Sequence, residues 1–138
     1  MTQHYLDNWK QYLTEGDYNY LIRYIENIKN NISNDKMIIL SGPARSGKST
    51  LINDIKTYLG DEFCGVYGMS GEIIYSESIK KLGIFCEINE IFHSKKNNRA
   101  IINLIKYKQS LIAVTNYIEN VNINLLDFSK IIQMNSIF

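Results

Sequence analysis

The chain has 138 residues, a formal net charge of +1, 45% hydrophobic and 21% charged residues, values that exclude a disordered chain and fit one domain with a sizeable core. One proline and eight glycines exclude collagen-like or low-complexity material, and near-neutrality excludes a surface that is basic all over. No run reaches the ~20 apolar residues that span a bilayer, and the opening MTQHYLDNWK lacks the basic-then-apolar plan of a signal peptide.

In chain order, Tyr5, Leu6, Trp9, Tyr12 and Leu13 recur at one-face helical spacing, with Gly16 as the expected stop and Trp9 as a core or interface anchor. Asp17 is the expected cap of a second helix, whose apolar stripe is Tyr20, Leu21, Tyr24, Ile25 and Ile28. A polar loop, Asn30 to Lys36, follows. The rhythm then changes to short apolar runs alternating with helical stretches. Met37 to Leu40 reads as a buried strand, Ser49 to Leu59 as an amphipathic helix stopped by Gly60, and Phe63 to Met69 as a strand weakened by Gly65 and Gly68. Residues 72–82 are expected to turn helical towards Ile79 and Leu82, before a strand Ile84-Phe85-Cys86. Asn97 to Lys108 reads as a helix with Ile101, Leu104 and Ile105 inward, and Leu111 to Thr115 and Lys130 to Met134 as the last strands. Strands and helices alternating at this length predict an α/β fold on a parallel sheet. The organisation expected is an N-terminal helical segment, 1–36, continuous with a core, 37–138, in one compact unit. Cys64 and Cys86 form neither a disulfide framework nor a metal motif, and are expected to be small buried apolar residues in a reducing cytoplasm.

Gly42-Pro43-Ala44-Arg45-Ser46-Gly47-Lys48-Ser49 matches G-x-x-x-x-G-K-[ST] in full, between an apolar strand and an amphipathic helix. The glycines permit backbone angles that bring successive N–H groups onto phosphate oxygens, and the helix start adds its partial positive charge. Lys48 is expected to reach the β- and γ-phosphates of ATP and Ser49 to complete a Mg²⁺ shell, with Thr50 in the first turn beside them. An acidic group on a neighbouring strand must hold Mg²⁺ and polarise the attacking water. Glu87, just after an apolar run, is the candidate, and Glu90, three residues on, can face the same site. Asn116 follows another apolar strand. Its amide can donate to the γ-phosphate and accept from water, which suits a residue that aligns a nucleophile.

Taken in order, Gly42 to Thr50, Leu59-Gly60, Glu87-Ile88-Asn89-Glu90, Leu111 to Asn116 and the final segment Lys130 to Phe138 resemble the ATPase core of the superfamily 3 helicases, above all the poxvirus-type and the phage and plasmid primase–helicases. The resemblance runs from about residue 20 to the C-terminus. It implies an AAA+-like P-loop NTPase fold, a hexameric ring around single-stranded DNA, and a role in replication of a large DNA virus or mobile element, in the host cytoplasm or a viral factory. Three departures suggest a truncated or diverged relative. Where the family carries an arginine finger this chain has Asp127-Phe128-Ser129-Lys130, so only Lys130 can substitute, without the planar fork. The family's DNA-contacting loop is shortened to His93–Gln109, which keeps Lys95, Lys96, Arg99, Lys106 and Lys108. Glu119 replaces the proline that follows Thr-Asn.

Two other classes compete. A degenerate nucleotide-binding adaptor, assembling with a full-length helicase, accounts for the missing finger. A small nucleoside or nucleotide kinase needs a lid with several arginines, and the chain has only Arg23, Arg45 and Arg99. A GTPase lacks support because Asn116 is followed by Tyr117, Ile118 and Glu119 rather than a base-reading N-K-x-D.

Overall fold

The computed structural model describes residues 5–43, 46–60, 64–67, 82–85, 95–106, 109–116, 118, 121 and 123–134. Its centre is a five-stranded, wholly parallel sheet built from β1 (Met37–Ser41), β2 (Cys64–Tyr67), β3 (Leu82–Phe85), β4 (Ser110–Thr115) and β5 (Ser129–Gln133), in the spatial order β2-β3-β4-β1-β5. β1 and β4 are buried along their whole length, which is why they read as unbroken apolar runs rather than alternating ones.

Alternation along these strands sorts the core into two layers. Ile38 and Leu40 of β1, Ile112 and Val114 of β4, and Ile132 of β5 face the N-terminal segment, α1 (Glu15–Lys29) and α2 (Lys48–Leu59). Met37 and Ile39 of β1, with Leu111 and Ala113 of β4, face Ile101, Leu104 and Ile105 of α3 (Lys95–Lys106) and Leu125 of the short α4 (Ile123–Leu126). α3 covers the sheet with the stripe its sequence periodicity marks, and the parallel α/β expectation holds.

The N-terminal expectations need correction. The first stretch forms only a 3-10 turn, Asp7–Gln11, and Gly16 does not stop a helix but lies in the first turn of α1. Thr14, not Asp17, is the cap: its hydroxyl accepts from the Asp17 N–H, which satisfies one of the orphan donors of the first turn. Tyr18 joins the buried stripe, whereas Tyr20 is only half-buried. Leu82, expected to close a helix, opens β3 instead. The remaining part of that expected helix lies outside the described residues, as does Cys86.

Docking of α1 is polar as well as apolar. The buried Tyr24 hydroxyl accepts from the Leu111 N–H (2.9 Å) and donates to the Lys36 carbonyl (2.8 Å), tying the helix to the entry of β4 and the approach to β1. Buried Asn34 donates to the Tyr24 carbonyl (3.2 Å) and the Ser110 hydroxyl (3.0 Å), and accepts from the Asn27 amide (3.0 Å). Trp9, buried in the same layer, donates its indole N–H to Asp54 of α2 at 2.9 Å. No described helix is long and apolar enough to cross a membrane.

Candidate functional site

The phosphate loop leaves the C-terminal end of β1, the innermost strand on its side of the sheet. Its start is held from both flanks. The Gly42 N–H donates to the Thr115 carbonyl of β4 at 3.3 Å, and on the other flank the Met134 N–H donates to the Ser41 carbonyl at 2.7 Å. A Cβ at position 42 would overlap the Met134 carbonyl oxygen and come within 3.0 Å of the Ser46 hydroxyl, so no larger residue fits there. Gly47 adopts φ 89°, the left-handed region that side chains disfavour, and its carbonyl accepts from the Leu51 N–H at 2.9 Å to start α2.

The start of α2 is built differently from that of α1. α1 has a side-chain cap and two acidic residues, Glu15 and Asp17, in its first turn. α2 has a glycine at the cap position, no side-chain cap bond and no acidic residue in its first turn. Its leading N–H groups therefore have no side-chain acceptor, and the positive end of the helix is unneutralised, which is the donor set an anion requires.

Lys48 completes the loop from inside. It is only 6% exposed, and its ammonium donates to the Gly42 carbonyl (2.6 Å), the Pro43 carbonyl (2.7 Å) and the Ser46 hydroxyl (3.0 Å). Burial pushes its pKa below the ordinary lysine value. The three contacts compensate that desolvation with oxygen acceptors and hold the cation within the turn of the loop. Ser46 is buried, whereas Ser49 and Thr50 are exposed on the first turn of α2. An exposed hydroxyl at the mouth of an anion cradle fits a Mg²⁺ ligand that keeps several waters.

The topology brings Asn116 to this site. Ser41 pairs with Thr115 in the β1–β4 register, so Asn116 leaves β4 beside Gly42 and is exposed there. β3 is the next strand outwards, pairs with β4, and ends at Phe85, two residues before Glu87. Glu87 and Glu90 lie outside the described residues, as do Ala44 and Arg45 of the loop. Among the described residues no cluster of three or more His, Cys, Asp or Glu could hold a metal ion, so the Mg²⁺ fit here rests on Ser49 and the phosphate cradle. Lys130, the expected stand-in for an arginine finger, pairs with Asp17 of α1 at 3.0 Å and lies 5.7 Å from the Tyr20 ring centroid. Its partner in the β1–β5 register is Ile38, near the entry of the sheet and far along the strand from the loop.

Sequence reading missed the two carbonyls that bracket the loop, Thr115 and Met134. Neither belongs to the motif, and their part depends on which strands flank β1. It also missed the Trp9–Asp54 bond, which spans 45 positions of sequence and joins the N-terminal segment to the helix that carries Lys48.

A parallel sheet flanked by helices, with a phosphate loop between β1 and α2, defines a P-loop NTPase fold of the AAA+ type. Solved structures agree. The chain is similar to PCH-2 of Caenorhabditis elegans (TM-score 0.58, 12% identity, covering 95% of this chain and 46% of that one). It is also similar to the Thermotoga maritima RuvB Holliday junction branch migration motor (TM-score 0.62, 18% identity, 94% and 46%) and to its T158V form (0.63, 17%, 90% and 45%). The chain thus spans less than half the length of these structures. No protein-family profile and no curated protein matches the sequence.

Proposed function

We propose that the chain is a Mg²⁺-dependent, ATP-binding and ATP-hydrolysing domain of the superfamily 3 helicase type, acting in viral or mobile-element DNA replication, and assembling as a ring with its own copies. The observation that carries the nucleotide reading is the uncapped start of α2 after Gly47, with the Lys48 ammonium held on the Gly42 and Pro43 carbonyls and the end of β4, which leads into Asn116, paired beside Gly42. In this reading the leading N–H groups of α2 bind the phosphates. Lys48 would turn from its loop acceptors to β- and γ-phosphate oxygens, and Ser49 with Glu87 would hold a Mg²⁺ whose charge would offset that of the phosphates. Glu87 and Glu90 polarise the attacking water and Asn116 orients it. The ordered motifs of the second half of the sequence support the helicase type.

The pairing of Lys130 with Asp17 favours a second reading. A cation committed to its own helix is poorly placed to reach a neighbour's γ-phosphate, and a trans-acting arginine is worth a factor of roughly 10³–10⁵ in rate. An adaptor that binds nucleotide and assembles with a full-length helicase needs no such group. Phosphate release from Mg-ATP, with and without single-stranded DNA, separates the two. The first reading predicts turnover that single-stranded DNA stimulates and Lys48→Ala abolishes. Tight nucleotide binding with no turnover above the Lys48→Ala background establishes the adaptor.

A further inference from the structure

We propose that the cavity between α1 and the 30–36 loop binds a free α-amino acid with a polar, uncharged side chain. The cavity has a volume of about 210 Å³ and lies where the chain turns from α1 towards β1. The phosphate loop leaves the other end of that strand, about 13 Å along it, so the two sites are distinct.

The walls are fixed before any ligand arrives. α1 closes on Asn31, at φ 61°, with the Ile32 N–H donating to the Asn27 carbonyl (2.8 Å) and the Asn31 N–H to the Ile28 carbonyl (3.3 Å). Beyond that turn, buried Asn34 spends both amide hydrogens, on the Tyr24 carbonyl and the Ser110 hydroxyl. Buried Tyr24 spends its hydroxyl on the Lys36 carbonyl and the Leu111 N–H. The buried part of the lining is therefore satisfied. The more accessible part is not. Among the described residues, the Arg23 guanidinium, the Tyr20 and Ser33 hydroxyls and the Asn27 side-chain carbonyl take part in no hydrogen bond or ion pair.

Charge narrows the choice of ligand. Arg23 lines the cavity from the helix and Asp35 from the loop, and the two do not pair with each other. Both act on the Tyr20 hydroxyl, whose pKa burial raises, while Arg23 and Lys130 draw it down and Asp35 pushes it up. A molecule with its own carboxylate and ammonium answers both charges, the carboxylate taking the guanidinium fork and the ammonium facing Asp35. A carboxylate has about four acceptor sites, so Asp35 can take an ammonium beside its partner in the fold. A phosphate dianion would face Asp35 with like charge, and a metal ion would face Arg23. A flat nucleobase needs an open aromatic face. The Tyr20 ring already has the Arg23 guanidinium at 5.5 Å, the Lys130 ammonium at 5.7 Å and the Tyr24 ring at 6.2 Å. The volume equals the liquid share of about seven waters, which suits an amino acid of modest size. The Ser33 hydroxyl and the Asn27 carbonyl are left for a polar side chain.

The test is isothermal titration calorimetry of the full chain, without nucleotide, against L-serine, L-threonine, L-asparagine and L-glutamine. At least one is expected to bind with a Kd at or below about 1 mM, and R23Q and D35N should each weaken it at least about tenfold. Blocked forms of the best ligand give a readout that a merely structural role would not move. The N-acetyl form lacks the ammonium and should bind wild type and D35N with similar weakness. The α-carboxamide form lacks the carboxylate and should do the same with wild type and R23Q. E15Q, a charge change elsewhere on α1, should leave affinity within about twofold. The proposal is overturned if none of the four binds at about 10 mM, or if inorganic phosphate or guanosine binds more tightly than all of them. Unchanged affinity in R23Q or D35N, or an equal loss in E15Q, overturns it as well.

Discussion

At the scale of single residues, Lys48 and Gly42 show how one loop reconciles two demands. A buried ammonium is costly unless oxygen acceptors surround it, and the loop supplies three of its own. Those acceptors are neutral, so a polyanion competes for the same cation with a stronger field. Gly42 is demanded by the opposite flank, where the Met134 carbonyl occupies the space of a Cβ. Gly42→Ala should therefore destabilise the chain by about 1–3 kcal/mol, as overpacking against fixed backbone does, and should weaken nucleotide binding because the loop must shift away from β5. Chemical denaturation and nucleotide titration of the same variant check both effects. Loss of binding without any loss of stability would contradict the close approach as its cause.

At the scale of elements, the revealing contact is α1 on the sheet. Burial of Tyr24 holds its pKa above the ordinary tyrosine value, and Tyr18 is likewise raised by desolvation, with its hydrogen bond to Asp7 adding to it. A tyrosine whose folded pKa exceeds its unfolded value contributes stability that is complete below about pH 10 and is lost as pH climbs through the folded value. Stability should thus be level in this respect through neutrality and fall steeply above about pH 10. Tyr24→Phe should cost about 1–3 kcal/mol at neutral pH, because the buried Leu111 N–H loses its acceptor, and should make the alkaline fall shallower. Urea melts of both proteins from neutral to alkaline pH measure the two slopes, and equal slopes would contradict the assignment. Element types were legible where local pattern and tertiary demand coincide. The stripe of α1 and the apolar runs of β1 and β4 are examples. They were misread where a local signal stands for something else. Gly16 reads as a terminator, yet its neighbour Thr14 supplies the cap that lets a helix run through it. Leu82 fits a helical stripe, yet it pairs with Ser110 and becomes a strand residue.

At the scale of the whole molecule, strand order turns a local motif into a site. The phosphate loop is readable from eight consecutive residues, and the place of Asn116 beside it follows once β4 is set next to β1. The pattern predicts a parallel sheet without saying which strands touch. Pairing is decided by burial on both faces, and so the roles of Thr115 and Met134, which act through backbone N–H and carbonyl groups, left no mark in side-chain identity. The same limit applies to Lys130. Its position in sequence suggests a group acting on a neighbouring copy, whereas the fold lays its strand under α1 and gives it Asp17. The central claim is that the residues from Gly42 to Ser49 bind the phosphates of ATP, and thermal denaturation with and without Mg-ATP tests it most directly. At a ligand concentration of about 100 Kd, wild type should gain about 2.7 kcal/mol, several degrees in melting temperature, while Lys48→Ala should gain little or nothing. A folded wild-type protein whose melting temperature does not move with millimolar Mg-ATP, or a Lys48→Ala protein that gains as much as wild type, would contradict the account.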